Sequence, residues 1–336
     1  MTKKHLSYLK SIKLKNLKKK LRVGTDCSGI EAPLQALDLL NIPYEHIFSC
    51  DYDPIVRESI KGNYKPKYLY DNIFNRNYKT LPKIDLYVAG FPCQAFSTLG
   101  KREGFEDELN RGVVFFACHK TIKTLEPEIF ILENVKGLIN HNGGETFYKI
   151  IKWLKKLKIY DIYAQVLNTK DYGIPQNRER VFIVGLKKTK FNDFTFPKPV
   201  KLKINVTDVL ENRQVDKKFG ELTTHKKQLL KDLRENKRID KLSNNWSVNL
   251  NVSNHMRCSP MLNIVPTLLA GNGGDCIYYL TSIKRRYTPR EYLRLQGFPD
   301  SFKQVIGNSK MYKQVGNSMS VNVLAHLYSS IFNAKK

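Results

Sequence analysis

A lone thiol, Cys93, follows the apolar run Ile84-Asp85-Leu86-Tyr87-Val88-Ala89-Gly90 and a Phe91-Pro92 turn. The run reads as a buried strand, so the thiol stands at a strand's carboxyl end, where open α/β sheets bind their ligands. Small core filler is the commoner fate of cysteine, but a thiol at this place is also a candidate nucleophile. Glu133, in Glu133-Asn134-Val135, ends a second apolar run. If successive strands carry them, Cys93 and Glu133 share one edge of the sheet. There a carboxyl group can act as a general acid or hold a substrate by hydrogen bonding. Arg178 and Arg180 alternate in Gln176-Asn177-Arg178-Glu179-Arg180. Side chains two apart in an extended segment point the same way. Two fixed guanidiniums can lower a thiol pKa, or bind a base carbonyl and phosphates.

A nucleotide site is written upstream. Cys27-Ser28-Gly29-Ile30 joins a short strand over 23–26 to a helix over 31–40, and the next strand, over 46–50, ends in Asp51-Tyr52-Asp53. A tight turn at a helix start, with an acid closing the next strand, is how doubly wound folds hold adenosine. Asp51 would accept hydrogen bonds from the ribose hydroxyls, and Tyr52 would pack on adenine. A full Gly-x-Gly-x-x-Gly is absent, so a pyrophosphate is poorly served. An adenosine ligand without phosphates fits better, and S-adenosyl-L-methionine is the leading candidate.

The elements that must position these groups alternate. Strands are expected over 86–89, 128–133, 163–167 and 180–186, with helices over 112–125 and 146–157 between them. This β-α-β rhythm predicts an α/β fold with a mostly parallel sheet covered by helices. It stops near Lys187. The stretch 191–286 is polar and basic, with one amphipathic helix expected over 226–242, and it reads as a separate small domain. Order returns at 287–299, and a terminal helix is expected over 321–333. Residues 1–22 are basic, with leucines at roughly helical spacing, and predict an amphipathic extension with a solvated face.

Composition narrows the class. Among 336 residues, 57 are Lys or Arg and 31 are Asp or Glu, a net charge of +26. Such a field attracts polyanions, and nucleic acid binding should weaken steeply with salt. The six cysteines form no Cys-x-x-Cys pair and the seven histidines are scattered, which predicts a reducing compartment, no disulfides and no metal. No run of eighteen apolar residues exists, so no membrane span is expected.

Taken in order, five blocks resemble the C5-cytosine-specific DNA methyltransferases of the bacterial restriction–modification type: Gly90 to Ser97, Glu133-Asn134-Val135, Gln176 to Arg180, Arg290-Glu291 with Arg294-Leu295-Gln296-Gly297-Phe298-Pro299, and Gly316-Asn317-Ser318. The resemblance implies a Rossmann-like, doubly wound, S-adenosylmethionine-dependent methyltransferase fold over 23–190 and 314–336. It further implies a target-recognition domain over 191–286 and a hinge segment over 287–313. It implies that Cys93 adds to C6 of a cytosine flipped out of duplex DNA, that Glu133 binds N3, and that Arg180 and Arg178 contact the base O2 and its surroundings. The cofactor would meet Cys27, Ser28, Gly29, Ile30, Asp51, Tyr52, Asn317 and Ser318, with Asp71, Asn72 and Ile73 near the adenine edge.

The loop through Gly100 to Phe105 is similar to the family's closing loop. It brings Gln94, Ser97, Lys101 and Arg102 to the DNA, where Thr267 is also expected. A monomer is implied, with room for a partner endonuclease. The setting would be a bacterial cytoplasm, or the nucleus or viral replication compartment of an infected cell. The first loop departs from the family: Glu31 and Ala32 stand where glycines are usual, and Thr25 where an acid is usual. Two other readings stay open, an RNA methyltransferase of the same chemistry and a binding-only relative.

Overall fold

The computed structural model describes residues 4–14, 19–92, 114–270 and 278–336. Cys93, Gln94, Ser97, Lys101 and Arg102 therefore lie outside the described residues. By its contacts the chain forms two units. One comprises Ile12–Leu167, Glu179–Lys198 and Leu324–Lys336; the other comprises Met1–Ser11, Asn168–Arg178 and Pro199–Val323.

The first unit is built on a seven-stranded sheet. Its elements run β1 (Leu21–Asp26), α1 (Ala32–Leu39), β2 (Tyr44–Cys50), α2 (Pro54–Asn63), β3 (Tyr68–Tyr70), β4 (Leu86–Ala89), α3 (Val114–Leu125), β5 (Ile129–Val135), α4 (Glu145–Lys155) and β6 (Tyr160–Asn168); after the short β7 (Gln176–Asn177) comes β8 (Glu179–Lys187). The strand order is β3-β2-β1-β4-β5-β8-β6. Neighbours from β3 to β5 are parallel, and β5 pairs with β8 antiparallel. Central strands of a parallel sheet are apolar on both faces, and β4 is buried throughout, as is β5 up to Asn134. Phe115, Phe116 and Ile122 of α3 and Ile150 and Leu154 of α4 share one core with Phe130, Leu132 and Ile183 of the sheet. Near the chain's end, the Tyr328 hydroxyl donates to the Pro33 carbonyl at the start of α1. Helix α2 and strand β3 were not expected from the sequence; three residues are too few for a strand signal.

In the second unit, α5 (Thr224–Glu235) packs Leu229 and Leu233 against Val248 of β9 (Trp246–Asn249) and Tyr279 of β12 (Tyr278–Leu280). Together with β10 (Met261–Leu262) and β13 (Arg285–Arg286), these strands make a four-stranded sheet in the order β10-β9-β12-β13. The polar, basic stretch over 191–286 thus carries a sheet besides the expected helix. The helix expected over 226–242 ends at Glu235, because Lys237 adopts left-handed backbone at φ 54°. The short β11 (Val265–Pro266) pairs in parallel with β7. Helices α6 (Pro289–Leu295) and α7 (Asn308–Asn317) follow, and then α8 (Val321–Asn333).

The described residues of the N-terminal segment contain no amphipathic α-helix. Ser7–Ser11 forms a 3₁₀ turn. Tyr8 is buried in this turn and His5 just before it, whereas Leu6 and Leu9 are only half-buried. A spacing of three eclipses on a 3₁₀ helix, which explains the choice. Tyr8 lies against Gly173, where an added Cβ would come within 2.6 Å of the Tyr8 Cβ.

Gly316, in α7, admits no side chain. A Cβ there would lie 2.4 Å from both the carbonyl carbon and oxygen of Leu269 and 2.6 Å from the Ala270 nitrogen. Backbone atoms cannot swing aside as a side chain can. Gly316→Ala is therefore expected to cost roughly 3 kcal/mol, the upper part of the overpacking range. A fall in the urea midpoint at unchanged slope checks it.

Candidate active site

Parallel pairing of β4 with β5 sets Ala89 beside Leu132, so the chain leaving β4 toward Cys93 runs beside Glu133. The Asn134 amide donates to the Phe91 carbonyl at 2.7 Å, tying the last described turn before Cys93 to the end of β5. Across the antiparallel pair, Glu133 faces Phe182 and Val135 faces Arg180. Glu133 and Arg180 are thus diagonal neighbours on one face. Their Oε1 and Nε atoms lie 3.3 Å apart, and both side chains are largely buried. Burial pulls the Arg180 pKa down, and the Glu133 charge opposes this. A carboxylate held by a guanidinium at the edge of the sheet is a fixed, oriented acid–base group.

Arg178 is spent differently, although it stands only two residues before Arg180. It is 2% exposed. Its Nη1 donates to the Leu268 carbonyl at 3.0 Å, and its Nη2 to the carbonyls of Gly316 and Ser318 at 3.1 and 2.8 Å. A guanidinium so occupied braces backbone, in contrast to the base contact expected of it. Around it lies a buried polar lattice. Gln176 donates to the Leu295 carbonyl and to the Gln296 side chain, and accepts from the Leu268 amide. Gln296 donates to the carbonyls of Val315 and Ser318 and accepts from Ser320. Blocks that say little singly in the sequence are thereby bonded to one another. The Thr267 hydroxyl donates to the Asn177 carbonyl at 2.8 Å, so it too is engaged with backbone.

The turn expected to hold a nucleotide is built by the ends of β1, β2 and β3. The Asp51 carboxylate accepts from the Gly29 amide at 3.0 Å and from the Asp53 amide at 3.1 Å. Desolvation raises the Asp51 pKa, and the two amides counter it. Arg57 donates to the carbonyls of Asp51 and Tyr52, fixing this turn from α2. Sequence reading missed Arg57; its signal was an arginine one turn inside the helix that Asp53 caps. Tyr52 presents its ring to solvent at 82% exposure. The Asp51 amide donates to the Tyr70 carbonyl, which brings Asp71 and Asn72 beside Asp51. Asn72 accepts from the Phe74 amide in an Asx-turn. Ile30, Ser28 and Ile73 are buried, so their side chains serve the fold, whereas a Cβ on Gly29 (φ 54°) would meet nothing within 4 Å. Cys27 is half-buried and burial pushes its thiol pKa well up. In the other unit, Asn317 is exposed and Ser318 buried.

Glu31 is fully buried beneath this turn, and its carboxyl pKa is pushed up to about 7 by desolvation, against the hydroxyls of Ser49, Thr25 and Ser28 that lower it. The folded protein therefore holds a proton that the unfolded chain releases near pH 4.5. Stability contributed by the neutral form is complete below that value and is lost as pH rises toward 7, about 3 kcal/mol in all. Glu31→Gln is expected to raise the melting temperature at pH 8 and to change it little at pH 5. Thermal scans at the two values measure the difference.

Among the described residues, Cys27, Cys50, Cys118 and Cys258 are free thiols, and no group of His, Cys, Asp and Glu could hold a metal. No helix among them is long and apolar enough to cross a membrane.

A parallel-rich α/β sheet with an acid closing its second strand, and with Glu133 and the approach to Cys93 on adjacent strand ends, defines the architecture of the S-adenosylmethionine-dependent methyltransferases. Solved structures share the fold. A putative DNA modification methyltransferase encoded within an E. coli prophage superposes with a TM-score of 0.64 at 20% identity, covering 94% of this chain and 99% of that one. Dnmt2 of S. pombe gives 0.61 at 20%, covering 92% and 98%. In sequence, residues 25–333 match the C-5 cytosine-specific DNA methylase family. The type II methyltransferase M.NgoBI of Neisseria gonorrhoeae is 38% identical over 283 residues, 83% of each chain. M.HhaI of Haemophilus parahaemolyticus is 34% identical over 292 residues, 85% of this chain and 87% of that one. The chain belongs to the C-5 cytosine-specific DNA methylase family. It is a DNA (cytosine-5-)-methyltransferase.

Proposed function

We propose that this enzyme methylates one short sequence in duplex DNA, using S-adenosyl-L-methionine and a covalent adduct between Cys93 and a flipped-out cytosine. The observation that carries the reading is the Glu133–Arg180 pair at the end of β5, beside the strand that leads to Cys93. The cofactor turn fits the ligand. Open space above Gly29, the Asp51 carboxylate and the exposed Tyr52 ring suit a nucleoside, and Asp71 and Asn72 stand at the next strand end. When bound, S-adenosylmethionine supplies an electrophilic methyl group.

The chain's residues do the rest. Cytosine C5 is a weak nucleophile. Addition of the Cys93 thiolate to C6 forms an S–C6 bond and pushes an electron pair to C5, which can then take the methyl group. Glu133, steadied by Arg180, holds N3 and draws electron density from C6. Arg180 also reaches the base O2. A base then removes the C5 proton, the S–C6 bond breaks, and Cys93 leaves as thiolate. Arg178 takes a positioning role through the carbonyls of Gly316 and Ser318. The second unit, with Thr267, reads the target, and Gln94, Ser97, Lys101 and Arg102 are assigned to DNA binding. The excess of basic side chains supplies the salt-sensitive share of binding.

Base-resolution mapping of cytosine methylation tests this in plasmid DNA from cells that lack their own cytosine methylases. Methylation confined to one short motif is expected. Unmethylated plasmid with methylated transfer RNA would overturn the duplex-DNA substrate, and neither product would overturn the catalytic reading.

A further inference from the structure

Three of the five residues from Cys27 to Glu31 take left-handed backbone: Cys27 at φ 49°, Gly29 at 54° and Glu31 at 59°. That conformation is free for glycine and costs other residues about 1 kcal/mol or more, so a glutamate kept there must be held by something else. Its side chain is the holder. Glu31 Oε1 accepts from the Thr25 hydroxyl at 2.6 Å and from the Ser49 hydroxyl at 2.6 Å. Both hydroxyl protons are thereby used. The neighbouring 2.7 Å contacts must then be donated toward them, by His46 Nε2 to Ser49 and by Ser28 to Thr25. Ser28 Oγ also accepts from the Cys50 amide at 2.9 Å. The end of β1 and the end of β2 are zipped together through one carboxyl group. The next bond in the row is the Gly29 amide to Asp51. Glu31 does not cap α1, since its side chain makes no cap hydrogen bond, and its Oε2 is buried without a hydrogen-bond partner.

We infer that Glu31 is a positioning residue for the cofactor. Its side chain replaces the conformational freedom of a glycine with a buried clamp, and so fixes the turn in which Gly29 meets Asp51. The inference rests on the reading that this turn and Asp51 hold S-adenosylmethionine. An uncharged acceptor of the same shape can do the same work, so glutamine should substitute.

The test compares Glu31→Ala, Glu31→Gly and Glu31→Gln with the unaltered full chain. S-adenosylmethionine binding is measured by equilibrium dialysis, and amide hydrogen exchange over 27–31 is measured without ligand. Glu31→Ala is expected to bind the cofactor at least tenfold more weakly and to exchange these amides at least tenfold faster. Its KM for S-adenosylmethionine should rise with kcat at saturation within twofold, and its duplex DNA affinity should not change. Glu31→Gln should stay within threefold of the unaltered chain. Glu31→Gly suits the left-handed backbone and decides the matter if the alanine variant does not fold: weaker binding from a folded Gly variant supports the clamp, and unaltered binding overturns it. A tenfold loss in Glu31→Gln would also overturn it, because the charge would then be what matters. Asp51→Ala serves as the control. If it binds S-adenosylmethionine normally, the assignment of the site itself has failed.

Discussion

Arg76→Leu is expected to lose about 3–5 kcal/mol of folding stability, the range for removing one partner of a buried ion pair. Arg76 and Asp26 are 1% and 0% exposed in their side chains. The guanidinium meets the carboxylate with two bonds of 2.6 and 2.5 Å, and Tyr87 donates a third at 2.6 Å. The Phe48, Tyr70 and Tyr78 rings surround the guanidinium at 5.1 to 5.6 Å. Burial opposes the Arg76 charge, but Asp26 outweighs it and holds the pKa above its ordinary value. Leucine would fill most of the volume while leaving the buried Asp26 carboxyl without its guanidinium partner. The double change Arg76→Leu with Asp26→Leu removes both charges and should recover most of the loss, which separates charge from packing. Chemical denaturation of the four proteins in this cycle reads the coupling. The pair also has a functional reach. Asp26 immediately precedes Cys27, and Arg76 closes the segment that contains Asp71 and Asn72. Folded Arg76→Leu protein should therefore bind S-adenosylmethionine more weakly.

Much of this architecture was legible because its signals are local. The β4 run and the first four residues of β5 are continuously apolar, as buried parallel strands must be, and Asp51 stands just past the end of β2, whereas β5 runs two residues beyond Glu133. The antiparallel pairing of β8 with β5 leaves no mark in either strand, and yet it is what sets Arg180 diagonal to Glu133. Alternation in the sequence suggested a shared role for Arg178 and Arg180; it could not show that carbonyls near 268 and 316 would claim Arg178 while Arg180 meets Glu133. Gln176 and Gln296 are 120 residues apart and read as ordinary polar residues until the chain brings them together. Glu31 shows the same limit at short range. Its departure from glycine was visible in the sequence, but the hydroxyls of Thr25 and Ser49 that make the departure tolerable lie on two different strands.

Cys93→Ala is expected to abolish methyl transfer, leaving less than about 10⁻³ of the rate, because no other group in the proposed mechanism can form the bond to C6. Activity loss alone would not separate a nucleophile from a residue that merely shapes the site. A duplex with 5-fluorocytosine at the target position does. After methyl transfer, C5 then carries fluorine in place of the proton that must leave, and fluorine cannot depart as a cation, so the S–C6 bond persists. The unaltered enzyme with S-adenosylmethionine should migrate with the DNA as one species under denaturing conditions. Cys93→Ala should bind the same duplex in a native gel and give no such species. Glu133→Gln divides the remaining possibilities. Its amide can still hydrogen-bond to N3 but cannot give up a proton there, so adduct formation should slow at least 100-fold while DNA affinity holds, in line with the usual contribution of a general acid. An adduct that forms at the unaltered rate in Glu133→Gln would remove Glu133 from the chemistry, and an adduct that survives Cys93→Ala would assign the nucleophile elsewhere.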